Sequence, residues 1–290
     1  MTASPTPTLY SATTDPTTGA RVAKPAWRQA AVRFADYETA EAVASPLADV
    51  MTSAENDGLI TSWWFIRKAP SWRLRFRLAT DAKERGATAA AVFARLDALR
   101  DTGAITSWTE TIYEPETHAF GGLTGMNLAH RLFHHDSRHI VTHLATLTGL
   151  GDLRRELSIM LCAAMMRAAG QDWYEQGDIW ARVATLRSQP SDANAPAGRL
   201  DSRMRRLLTT DTAPGTPLTS TDGPLATFTN WADEFTHTGR DLHHLAADGT
   251  LERGLRGVLA HHVIFHWNRL GLHYPTQALL AHTAKAVIFA

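Results

Sequence analysis

The chain has 290 residues with 29 basic and 29 acidic side chains and one cysteine, Cys162. At this length a protein buries about three quarters of the surface its unfolded form exposes, so no disulfide is needed to hold a core. Balanced charge excludes a global field that would attract nucleic acid or anionic lipid, and any anionic ligand must be held by a local cluster.

Residues 1–24 are rich in Thr, Pro and Ser and lack the basic and apolar regions of a signal peptide, so they read as a disordered tail. No run reaches the ~18 apolar residues of a membrane span. Cys162, in LSIMLCAAMM, has no electropositive neighbour and reads as a buried thiol. A protein in the reducing cytoplasm is the expectation.

Past the tail, Trp27 to Phe34 has the pattern of a strand, and Tyr37 to Asn56 that of a helix with Asp36 as its N-cap. Leu59 to Arg67 and Trp72 to Leu78 read as a hairpin closed over Lys68-Ala69-Pro70-Ser71. A helix over Thr88 to Arg100 leads into a fourth strand, Ile105 to Tyr113. This β-α-β-β-α-β order predicts a ferredoxin-like sheet over 25–121. Residues 122–290 read as almost wholly helical, with helices near 124–148, 152–169, 174–187, 199–208, 225–247, 251–270 and 275–286. Loops are expected at Ser188 to Gly198 and Thr209 to Gly223. The fold class is therefore α+β, a single domain over 25–290.

In Trp72-Arg73-Leu74-Arg75-Phe76-Arg77-Leu78 a period of two puts three arginines on one strand face. The plain alternative is a solvated face. Three guanidinium groups side by side nevertheless repel unless an anion lies across them, and arginine is well shaped to grip a carboxylate. Tyr113-Glu114-Pro115-Glu116 ends the fourth strand with two acids, and Gly121-Gly122 gives the chain a sharp bend before a helix whose N-terminus offers donors to an anion. His130 and His134 are four apart on one helix and His262 and His266 on another, but neither pair encloses the acid of a zincin motif, so no metal is expected. Asn268 and Arg269 follow His266 on an apolar helix, where they are costly to bury unpaired.

Four stretches in order, Trp64-Phe65-Ile66-Arg67 with Trp72-Arg73-Leu74-Arg75-Phe76, Tyr113-Glu114-Pro115-Glu116 with Phe120-Gly121-Gly122, His130-Arg131-Leu132-Phe133 with Asp136-Ser137, and His266-Trp267-Asn268-Arg269-Leu270, resemble the thiopeptide-type bacteriocin biosynthesis domain. That domain also forms the C-terminal elimination part of class I lanthipeptide dehydratases. The resemblance implies a stand-alone lyase acting on a leader-bearing precursor peptide beside a larger tRNA-dependent glutamylating subunit. It would remove glutamate from glutamylated serine or threonine to leave dehydroalanine or dehydrobutyrine. On this resemblance Arg73 and Arg75 bind the glutamyl carboxylates, His266 is the acid/base group and Glu116 matches the family's acid. Arg77, Tyr113, Glu114, His118, Asn268 and Arg269 complete the expected substrate site. The family's arginine before the aromatic-Gly-Gly is Ala119 here, and Arg77 or His118 would have to substitute for it.

Pyridine synthases share the fold, and a formal [4+2] cycloaddition of two dehydroalanines with leader release is the alternative reaction. A non-catalytic subunit that adds a leader strand to the edge of the sheet is the alternative from another class. None of these demands a cofactor or a direct nucleic-acid contact, and a homodimer is compatible with the apolar helical half.

Overall fold

The computed structural model describes residues 26–37, 40–79, 81, 84–146, 153–188 and 199–290. The expected tail over 1–24 and the expected loop after Ser188 lie outside these residues.

Strands β1 (Trp27–Arg33), β2 (Ile60–Lys68), β3 (Ser71–Leu78) and β4 (Ser107–Thr111) form one antiparallel sheet in the order β2-β3-β1-β4. Helices α1 (Ala44–Asn56) and α2 (Arg85–Asp101) connect β1 to β2 and β3 to β4. This is the ferredoxin-like split βαβ arrangement that the element order predicts. Alternation along the strands sends Ala30, Val32, Phe65, Leu74 and Phe76 into a core shared with Leu47 and Met51 of α1 and Val92 and Leu96 of α2. Trp64, Ile66 and the arginines of β3 occupy the alternate positions.

Several element boundaries differ from expectation, and three of them bear on how the sheet meets the bundle. The first helix begins as a 3-10 turn at Ala40–Val43, and the α1 segment that follows has Val43 at its N-cap with no side-chain bond. Strand β4 stops at Thr111 because its pairing with β1 ends at Gln29, and Ile112 and Tyr113 leave the sheet. Helix α8 (Leu255–Leu270) starts four residues late, since the Glu252 amide is bonded to the Gly121 carbonyl at 3.0 Å rather than to a helical partner.

The helical half comprises α3 (Gly122–Thr146), α4 (Arg154–Ala168), α5 (Trp173–Leu186), α6 (Arg199–Thr209), α7 (Thr229–Ala247), α8 and α9 (Tyr274–Phe289). Every residue of α4 from Leu157 to Met166 is buried, as is every residue of α8 from Val258 to Trp267 except His261, so these two helices lie inside the bundle and show no single apolar stripe. Cys162 is among the buried residues of α4, as expected.

Helix α3 joins the two halves by running along the outer edge of β2. The Phe65 amide donates to Ser137 Oγ at 3.3 Å, and the Trp63 amide lies 3.2 Å from His134 Nδ1. Side chains of α3 thus satisfy strand groups that would otherwise face no partner, which closes this edge. The opposite edge, β4, is largely exposed.

Helices α4 and α7 approach closely at Gly239, where an added Cβ would stand 2.3 Å from the Met165 carbonyl oxygen, a backbone atom that cannot swing away. Gly239→Ala is expected to lower stability by about 1–3 kcal/mol through overpacking, despite the better helix propensity of alanine. Denaturant unfolding of the two proteins measures it.

Candidate active site

The β3 arginines fare differently from one another. Cross-strand register places Arg75 between Gln29 of β1 and Trp64 of β2. Arg75 is 3% exposed, donates from Nε to Gln29 Oε1 at 2.6 Å, and lies over the rings of Trp64 (4.3 Å) and Tyr113 (4.4 Å). Burial lowers its pKa to about 10, partly offset by Tyr113 and Glu116, so it stays cationic at neutral pH. Its Nη1 is buried without a hydrogen-bond partner. Arg73 is half-buried and Arg77 exposed on the same face.

Tyr113, carried past the end of β4, closes over Arg75, and its Oη is 2.7 Å from His130 Nε2 on α3. Burial, reinforced by Arg75 and Arg77, pushes His130 down to about 4, and burial pushes the Tyr113 phenol up. Both are neutral at pH 7, a proton-sharing pair beside a fixed cation. Glu116 is exposed but within electrostatic reach of Arg75 and Tyr113. Glu114 and His118 are exposed on the same loop.

The loop returns through Gly121 and Gly122, both with positive φ, 83° and 95°. Such φ values favour glycine, and the side chains of Leu251 and Glu252 pack close against the two positions. The side chain of Glu252 thus lies beside the N-terminus of α3.

Beside this bend Arg253 donates from Nη1 to the Ala119 carbonyl at 2.9 Å, and His261 Nδ1 lies 3.1 Å from the Gly257 carbonyl and 3.3 Å from Arg253 Nη1. His261 is half-buried; burial lowers its pKa, with Arg253 acting the same way and Gly257 and Glu116 opposing. The guanidinium of Arg253 therefore stands at the backbone of Ala119. Gln29, Arg253 and His261 stand 46 residues from Arg75, 134 from Ala119 and 8 from Arg253, and no spacing in the sequence marks them as partners.

The histidine expected as the acid/base group is placed elsewhere. His266 is 0% exposed and donates from Nδ1 to the Asp136 carboxylate at 3.0 Å. Asp136 also accepts from Trp231 Nε1 at 2.9 Å and Arg269 Nε at 2.7 Å. Burial raises the Asp136 pKa, but the charges and hydrogen bonds of His266 and Arg269 outweigh it and bring it to about 2. In this conformation the imidazole of His266 is fully buried against Asp136. Arg269 is likewise 0% exposed, over the Phe133 ring at 4.2 Å, with Nη1 and Nη2 unpartnered. Asn268, its neighbour, turns away to accept from Gln277 Nε2 at 3.1 Å. The structure thus brings together Arg73, Arg75, Arg77, Tyr113 and Glu116, and separates His266, Asn268 and Arg269 from them, although Arg269 acts electrostatically on Arg75.

Of the paired histidines, His130 meets Tyr113, His134 meets β2, and His262 is buried against Phe120 and Phe133 with its pKa pushed down to about 3 by burial and by Arg269. Among the described residues no group of three or more potential ligands is placed to hold a metal. No described helix is long and apolar enough to cross a membrane.

Asp136→Ala leaves Arg269 and His266 buried without their counter-charge, and is expected to cost about 3–5 kcal/mol. Because the folded-state pKa of Asp136 is depressed to about 2, its contribution is complete above the unfolded value of about 4 and disappears as pH falls from there through the folded value. Acid titration of unfolding free energy for wild type and Asp136→Ala should converge over that window.

The sequence matches the family model for the C-terminal part of lantibiotic biosynthesis dehydratases over residues 27–288. Comparison with curated proteins finds no match. Among solved structures, the tRNA-dependent lantibiotic dehydratase MibB from Microbispora sp. 107891 is similar over 92% of this chain, with TM-score 0.68 and 18% identity, and the chain spans 28% of MibB's length. TbtD, a pyridine synthase from thiomuracin biosynthesis, is similar over 91% of this chain and 98% of its own, with TM-score 0.61 and 11% identity. TsrL is similar over 90% and 98%, with TM-score 0.52 and 16% identity. These likenesses establish the fold, and the family match over nearly the whole described chain establishes that the protein belongs to the family of lantibiotic biosynthesis dehydratase C-terminal domains.

Proposed function

We propose that this protein eliminates glutamate from glutamylated serine or threonine of a precursor peptide, as a partner of a larger tRNA-dependent glutamylating subunit. The observation that carries the reading is Arg75: a buried guanidinium with an unpartnered Nη1, fixed by Gln29, Trp64 and Tyr113, with two more arginines on the same sheet face. Glutamate transferred from tRNA is esterified through its α-carboxyl, so the glutamyl group presents a free side-chain carboxylate, and elimination releases the α-carboxyl as a second one. Buried and half-buried arginines are suited to both, since a guanidinium binds a carboxylate bidentately and loses little to solvent screening there.

The reaction removes the α-proton of the modified residue and breaks its Cβ–O bond, with the electron pair leaving on the glutamate carboxylate. His261 is assigned as the group that takes the proton. It is half-buried, its pKa is lowered so that it is neutral at pH 7, and Glu116 is within electrostatic reach of both it and Arg75. Tyr113 with His130 supplies a hydrogen bond for the charge that develops on the peptide carbonyl.

Mass spectrometry of a glutamylated precursor peptide incubated with the protein should show loss of glutamic acid at each modified residue. Arg75→Gln and His261→Ala should each slow that loss by 100-fold or more. Unchanged turnover in Arg75→Gln would sink the reading. Because a base must be unprotonated, activity should persist below the ordinary imidazole pKa of about 6.5 and fall only under the lowered value.

A cycloaddition resembling that of pyridine synthases is the second reading, favoured by Ala119 in place of the family arginine and by the near-complete match to the length of TbtD. A peptide already carrying two dehydroalanines separates the two: macrocyclisation with leader release supports the second reading, and inertness supports elimination. The reading as a peptide-binding subunit would use the β4 edge, since α3 occupies that of β2.

A further inference from the structure

At the C-terminal end of β2 a cavity opens where the sheet meets α4, α8 and α9. Its volume is about 550 Å³, within the range of small-molecule sites, and its walls include Arg67, Arg154, Arg155, Glu41, Trp72 and Asn268. Among the described residues its lining brings three guanidinium groups together with one carboxylate.

Arg67 is the fixed element. Its side chain is 9% exposed, stacks on Trp72 with the guanidinium carbon 4.7 Å from the ring centre, donates from Nε to the Arg269 carbonyl at 2.8 Å and pairs through Nη1 with Glu41. Its Nη2 is buried without a hydrogen-bond partner. Glu41 is already committed to two arginines, since Arg154 Nη1 also donates to it at 2.6 Å, and it cannot neutralise the third. A preformed, stacked guanidinium with an unmet donor, flanked by further arginines, is the chemistry of an oxyanion site.

We propose that this cavity binds a small ligand bearing two or more anionic groups, a phosphate ester or a polycarboxylate, at a site separate from the Arg75 cluster. The reading goes beyond the elimination reaction and does not depend on it. Arg67 and Arg154 hold one oxyanion in place with Arg155 at the mouth, and Asn268 adds a polar edge.

Isothermal titration of the full-length protein with inorganic pyrophosphate and, separately, with citrate tests it. Binding of at least one probe is expected; pyrophosphate alone marks a phosphate ester and citrate alone a polycarboxylate. Arg155→Gln, an exposed position whose change leaves the fold intact, and Arg154→Gln should each weaken binding by about tenfold. Glu41→Gln, which removes the competing carboxylate and keeps an acceptor for Arg67, should strengthen it severalfold. Arg75→Gln should leave it unchanged. Failure of both probes to bind overturns the proposal, as does binding lost in Arg75→Gln and kept in Arg154→Gln and Arg155→Gln.

Discussion

The carboxylate of Asp136 is the constraint on which the rest of the structure depends. It sits on α3 with no exposure and accepts from Trp231 on α7 and from His266 and Arg269 on α8, so three helices meet at one anion. Removing an ion from water costs several kcal/mol, and only a full set of donors offsets that cost. The register of α3 against α8 is thereby set. Ser137, next in sequence, then meets the edge of β2, which locks the sheet to the bundle.

With that register set, the second face of the sheet is covered by Phe133, Phe265 and Phe120 at one side and left open to the arginines at the other. Trp64 and Tyr113 shield Arg75 from water without neutralising it. A cation so held keeps its charge and its direction, and an anion entering beside it meets a donor already aimed, with little reorganisation. The neutral Tyr113–His130 pair follows from burial first, and the neighbouring guanidinium groups further disfavour a protonated imidazole.

The elimination and cycloaddition readings make different demands on this arrangement. Elimination needs carboxylate sites, a base and a carbonyl partner, and Arg75, His261 and Tyr113 are of those kinds. Cycloaddition needs chiefly a shaped surface and few charges, which leaves the depth and rigidity of Arg75 without a use. Arg253 at the Ala119 carbonyl places a positive charge beside the loop position where the sequence lost one.

The sequence by itself determined the element order, the arginine face of β3, the glycine bend before α3 and the family, because each is written in local periodicity or in contiguous motifs. It also brought out His266, Asn268 and Arg269 as residues needing partners, yet not where those partners lie. Only the tertiary structure decided that His266 is sealed against Asp136, 130 residues away, that Asn268 and Arg269 face different surroundings, and that Gln29, His261 and Arg253 join or flank the site. The physical reason is that a polar residue on an apolar helix must be paired, but the identity of its partner depends on how helices cross, which packing of distant side chains sets and no spacing along the chain records.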